Sequence, residues 1–104
     1  MFIAMNNFRV RPEMTADFER AWRERESFLA GTAGFRTFHL LRGPVDGEAQ
    51  LYASHTVWDD EASFRAWTES EAFRKAHAGG GKTTPMLLGP PRFVGWHEVP
   101  MSQP

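Results

Sequence analysis

Six patterned segments, separated by strong breakers, fix what this chain can become. Phe2 to Arg11 alternates: Phe2, Ala4, Asn6, Phe8 and Val10 share one face, and Ile3, Met5, Asn7, Arg9 and Arg11 share the other. Pro12 ends that strand. Thr15 is positioned to cap a helix on which Phe18, Ala21, Trp22, Phe28 and Leu29 recur at helical spacing, ending near Gly31. Gly34 to Arg42 is a second strand and Ala49 to Trp58 a third. The turn Gly43-Pro44-Val45-Asp46-Gly47-Glu48 makes them a hairpin. Asp59 or Asp60 caps a second helix, in two pieces if Ser70 restarts it, that runs to about Ala78. A glycine-rich loop follows, and Arg92 to Val99 is the last strand.

The order is β-α-β-β-α-β, an α+β chain of the ferredoxin-like, split βαβ kind, with helices on one face of an antiparallel sheet. Residues 1–99 form a single domain, and 100–104 are expected to be a disordered tail. The opposite sheet face is left uncovered. It is expected to carry Ile3, Met5 and residues such as Phe38, Leu40, Tyr52 or Trp96, too much apolar surface for water. Packing sheet on sheet in a homodimer would bury it.

Composition removes several function classes. Twelve basic residues stand against thirteen acidic ones, and there is no cysteine. No basic stripe suggests nucleic acid, and disulfides and thiolate metal sites are excluded. No apolar run approaches the ~20 residues of a membrane span. With no charged leader before Phe2, a signal peptide is not expected either, so a cytoplasmic protein is the default. Nine Phe, four Trp and one Tyr are many aromatics for 104 residues. They could fill a core, line a pocket for a flat ligand, or form a subunit interface.

Val57 to His77 runs from a strand end into helix and carries two unusual choices, Trp67 and His77. Trp67 could be core, or a wall pressing on a bound ring. His77 could be a cation favoured at a helix C-terminus, or an axial ligand to haem iron. No second histidine or carboxylate stands at zinc-like spacing, which argues against a protein-only metal cage. A porphyrin supplies four ligands itself, so one histidine suffices. The ten residues from Trp67 to His77 span about three helical turns, comparable to the width of a macrocycle. Asn6 lies in an otherwise apolar row, either bonded to backbone at a strand irregularity, or exposed, or aimed at a ligand. The glycines at 79–81 lack the strand–helix context of a phosphate loop and read as a lid or entry gate.

These segments resemble the antibiotic biosynthesis monooxygenase superfamily, and within it the haem-degrading monooxygenases of the IsdG and HmuQ type. The likeness covers nearly all of residues 1–99. It is carried by Phe2-Ile3-Ala4-Met5-Asn6, Gly34-Phe35, His39-Leu40-Leu41-Arg42-Gly43-Pro44, Leu51 through Trp58, Ala62 through Trp67, and Ser70 through His77. The resemblance implies a dimeric α+β barrel with one haem per subunit. It implies His77 as the iron ligand, Trp67 forcing the porphyrin out of plane, and Asn6 hydrogen-bonding near the iron-bound oxygen. Phe64, Phe73, Trp22 and Arg25 join the expected haem-binding set; Arg23, Arg25 and Lys82 are the available cations for the propionates. The implied activity is oxygen-dependent opening of the haem ring, releasing iron and a bilin-type product, with electrons from a reductase or a small reductant. Two alternatives share the fold: a cofactor-free monooxygenase acting on quinols or polycyclic phenols, and a non-catalytic haem-binding dimer.

Overall fold

Every second residue of the first strand faces the helices, and that row organises the molecule. The structure, a computed structural model, describes residues 1–77 and 82–103. Its elements are β1 (Phe2–Val10), α1 (Thr15–Glu24), β2 (Phe35–Asp46), β3 (Ala49–Trp58), α2 (Glu61–Thr68), α3 (Glu71–Ala76) and β4 (Arg92–His97), with short 3-10 turns at Pro12–Met14 and Thr84–Met86. The strands form one antiparallel sheet in the order β2-β3-β1-β4. This is the ferredoxin-like α+β arrangement expected from the order of segments. No helix among the described residues is long and apolar enough to cross a membrane.

The core is split in two. Phe2 and Ala4 join Leu29, Trp58, Trp67 and Ala76 in one buried cluster. Phe8 and Val10 join Phe18, Tyr52 and Leu87 in the other. Asn6 stands between them in the same row and is exposed. Burial of the aromatic anchors stabilises each half; Trp58 and Phe18 are both wholly buried.

Several elements depart from expectation. Helix α1 stops at Glu24, seven residues short of Gly31, and Arg25 takes an extended conformation. Phe28 and Leu29 therefore keep the apolar spacing without being helical. Leu29 reaches the core from a loop, and Phe28 holds a left-handed backbone, φ 58°. The hairpin turn is shorter than expected: β2 continues through Gly43-Pro44 to Asp46, which pairs with Ala49, and Gly47 turns at φ 60°. Proline is tolerated there because β2 is an edge strand.

Phe38, Leu40 and Tyr52 were expected on the uncovered face and instead meet the helices. Tyr52 pairs with Phe8 and packs on Phe18, and Phe38 stacks on Trp22. For Phe38 and Leu40 the cause is a one-residue irregularity between Phe35 and Thr37, which puts both Phe35 and Phe38 on the helix side; Tyr52 follows from its pairing with Phe8. The helix-free face carries Ile3, Met5, His39, Leu41, His55, Val57 and Trp96, with Leu41 and Trp96 exposed.

The second helical region breaks where expected. Asp60 accepts a hydrogen bond from the Ser63 N–H and caps α2; Ser70 accepts from the Phe73 N–H, 3.1 Å, and caps α3. Trp67 and His77 therefore sit on different helices, and the three continuous turns imagined between them do not exist. The glycines 79–81 lie outside the described residues. Pro100 to Gln103 has no regular secondary structure.

Ser70 holds α3 by its cap and also donates to the Trp67 carbonyl, 2.6 Å. Ser70→Ala is predicted to cost about 1 kcal/mol of unfolding free energy, measured by urea denaturation, with hydrogen exchange accelerated in α3.

Candidate functional site

A cavity of about 1000 Å³ opens over Asn6, where neither core cluster covers the sheet. Its floor is Asn6 and Phe8; the end of α1 and the segment after it bring Trp22, Arg25 and Phe28; α3 brings Ala76 and His77. The remaining wall comes from residues 82–91. That segment is tied to the end of β1 by Arg11 N–H to the Met86 carbonyl, 2.8 Å, and Leu88 N–H to the Arg9 carbonyl, 2.7 Å. Asn6 makes no side-chain hydrogen bond among the described residues, whereas Asn7, on the opposite face, donates to the Arg92 carbonyl. Asn6 is exposed at the cavity floor.

His77 caps the C-terminus of α3 and is fixed at both ring nitrogens. Nδ1 lies 2.8 Å from the Phe73 carbonyl oxygen. A carbonyl only accepts, so Nδ1 carries the proton and Nε2 carries the lone pair. The ring also stacks on Phe73, centroids 4.0 Å apart. Burial pushes the His77 pKa below the usual histidine value; the nearby Arg25 charge pushes the same way, and the Phe73 carbonyl opposes. Desolvation therefore outweighs the attraction of a helix C-terminus for a cation, and the neutral form is favoured.

Arg25 completes this end of the cavity. Its guanidinium donates to His77 Nε2 at 2.9 Å and lies 4.6 Å over the Trp22 ring. Its own Nε is buried without a partner among the described residues, as is the Trp22 indole N–H.

The expected site residues thus divide. Asn6, Trp22, Arg25 and His77 line one cavity, with Lys82 at its rim. Trp67, Phe64 and Phe73 do not line it. Trp67 is buried between Trp58 and Phe73, centroids 6.3 and 5.5 Å away, in the cluster that includes Ala76. Phe64 packs on Phe2 and stacks on Phe93. Arg23 points elsewhere, bound to Glu19 beside a smaller pocket. Sequence reasoning missed Phe28 and the 82–91 wall. The left-handed turn at Phe28 left no trace in a residue type that rarely adopts it. The wall could have been suspected from Pro85, Pro90 and Pro91, which break any regular element there.

The site has no protein cage for a bare ion: the described residues hold no group of three or more His, Asp or Glu. A single neutral imidazole over a wide, partly aromatic cavity suits a metal that arrives in its own planar ligand.

The family model described as antibiotic biosynthesis monooxygenase matches residues 1–79, three quarters of the chain. The chain belongs to the antibiotic biosynthesis monooxygenase family. Within this family it resembles the IsdG-type branch. It is 38% identical over 56 residues to a heme-degrading monooxygenase of Shouchella clausii, covering 54% of this chain and 52% of that protein. It is 35% identical over 51 residues to a staphylobilin-producing heme oxygenase of Staphylococcus haemolyticus, covering 49% of each. The match thus spans about half the length of these curated relatives. Among solved structures of the family, the heme-degrader MhuD of Mycobacterium tuberculosis, with two hemes bound in its active site, matches at 28% identity and a TM-score of 0.73. That alignment covers 97% of this chain and 98% of MhuD.

The lowered His77 pKa sets a sign. A base that is harder to protonate folded than unfolded contributes stability above its unfolded pKa, and that contribution is lost as pH falls. NMR titration of the imidazole is expected to place His77 below the ordinary value of about 6.5. His77 is exposed as a whole residue, and a value at or above the ordinary one would contradict the partial desolvation at its cavity side.

Proposed function

We propose that this family member is a haem-degrading monooxygenase acting in the cytoplasm. It would use dioxygen and electrons from an external reductase or small reductant to open the porphyrin and release iron and a bilin-type tetrapyrrole. The observation that carries the reading is His77: an imidazole whose Nδ1 proton is committed to the Phe73 carbonyl and whose Nε2 accepts from Arg25, in the wall of a cavity that Asn6 also lines. The haem-degrading relatives support the same substrate.

The chain's contribution is ligation, orientation and shielding. Bound haem, with dioxygen and the external reductant, would supply the oxidising chemistry. His77 offers Nε2 to the iron. Asn6, on the sheet floor and without a side-chain partner among the described residues, would donate from its amide to the oxygen side. Phe8, Trp22 and Phe28 give the ring apolar and aromatic walls. Arg20, Arg25, Lys75 and Lys82 are the lysines and arginines lining the cavity that would meet haem carboxylates. Trp67 bends the ring in this scheme. Because Ala76 stands in the cavity wall and Trp67 in the core cluster behind it, that role asks α3 to shift when the ring is seated.

Two copies would pair through their helix-free sheet faces into a closed barrel. Exposed Leu41 and Trp96, with Ile3, Met5 and Val57 beside them, give that face the apolar character of an interface. Sedimentation is expected to show a dimer, and Trp96→Arg a monomer. A wild-type monomer at micromolar concentration would contradict the pairing.

Mixing the purified protein with haemin tests the substrate. A Soret band is expected, lost or shifted in His77→Ala, and bleached by ascorbate or a reductase in air. Asn6→Ala is expected to keep the band and slow bleaching by roughly 10- to 100-fold, the loss of one hydrogen bond to a charged group. A band that forms but persists for hours with reductant and oxygen would identify a non-catalytic haem binder. No band, with turnover of a hydroquinone in air, would identify the cofactor-free alternative.

A further inference from the structure

One lone pair serves one partner, and the Nε2 lone pair of His77 is already engaged. Arg25 donates to it at 2.9 Å. The contact joins residues 52 apart in the chain, linking the extended segment after α1 to the end of α3. It is also braced from behind. The Arg25 guanidinium rests on the Trp22 ring, and Trp22 is held in turn by Phe8 and Phe38, each with centroids 5.8 Å away. Stacking on an aromatic face orients a planar guanidinium and lowers the freedom it loses in bonding.

We propose that Arg25 is a built-in competitor for the iron position of His77, held there by Trp22 as a positioning residue, so that haem uptake is an exchange rather than a simple insertion. The proposal rests on the haem reading of the site. Bonded to Nε2, Arg25 keeps the imidazole in the tautomer that ligates, with its ring plane fixed between Phe73 and the cavity. It also sets a threshold. A flat molecule without a metal gains nothing from Nε2 and does not displace the guanidinium; a metal centre does. The same contact that preorganises His77 therefore selects metal-bearing rings over metal-free ones.

The buried, unpartnered Nε of Arg25 bears on this assignment. A residue placed only for stability would have that donor satisfied, because leaving it bare costs free energy. Arg25 is held in a geometry that favours its terminal nitrogen on His77 at the expense of its own inner one. An unpartnered indole N–H on Trp22 beside it repeats the pattern.

The experiment compares wild type with Arg25→Met, which keeps an apolar stem over Trp22, with Arg25→Ala, and with Trp22→Phe. The first readout is the nitrogen-15 shift of His77 Nε2 in protein to which no haem has been added. Arg25→Met and Arg25→Ala are expected to move it to that of an imidazole acceptor nitrogen without a hydrogen bond. Trp22→Phe should move it in the same direction when Arg25 is present, and not at all in the Arg25→Met background. The second readout is the rate of haem uptake by stopped-flow Soret absorbance. It is expected to rise about tenfold or more in Arg25→Met, the scale of losing one charge-assisted hydrogen bond. In wild type, zinc protoporphyrin should bind more tightly than metal-free protoporphyrin, and the gap should narrow in Arg25→Met. An unchanged nitrogen shift, or uptake no faster in both Arg25 variants, would overturn the exchange while leaving the haem reading standing. Wild type that takes up no haem at all would overturn the haem reading, and the exchange with it.

Discussion

An amide in the middle of an apolar row is the constraint from which the site follows. Phe2, Ala4, Phe8 and Val10 all bury their side chains under helices and loops, and Asn6 does not. Covering Asn6 with apolar side chains would leave its amide unpaired at a cost of about 1–3 kcal/mol. The core instead closes around Trp58 on one side and Phe18 on the other, leaving a cavity between. The split is costly for a chain of this size, which has little core to divide. Pairing of two sheets across their helix-free faces would offset that cost.

The second determinant is the short helix α3. Six residues are too few to be stable alone. Ser70 caps its start, Phe73 and Ala76 attach it to the core, and the Phe73 carbonyl in its last turn accepts from both the backbone and the ring of His77. A helix C-terminus has carbonyls to spare, and here one of them assigns the imidazole tautomer. Fold and chemistry meet in that carbonyl: the residue that ends the helix is the one whose Nε2 it presents to Arg25 at the cavity wall.

Much of this was legible in the residues. Alternation from Phe2 to Val10 put Asn6 on the helix side, the breakers gave the element order, and Ser70 announced the restart of the helix. What escaped was non-local. The irregularity at the start of β2 turned Phe38 and Leu40 inward, and strand pairing carried Tyr52 with Phe8; no local pattern records either. Arg25 could be named as a cation near the site. Its hold on a histidine 52 residues away depends on α1 ending at Glu24, where apolar spacing implied that the helix continued. Trp67 and His77 read as neighbours along one helix, and the break at Ser70 sends one into the core and the other to the cavity.

The central claim is that His77 supplies the one protein ligand to iron. A crystal structure of the haem complex tests it most directly. The account predicts iron within bonding distance of His77 Nε2, Asn6 on the open side of the ring, Arg25 displaced from the imidazole, and Nδ1 still bonded to the Phe73 carbonyl. Haem seated in the cavity with iron bound by another residue, or by none, would contradict it.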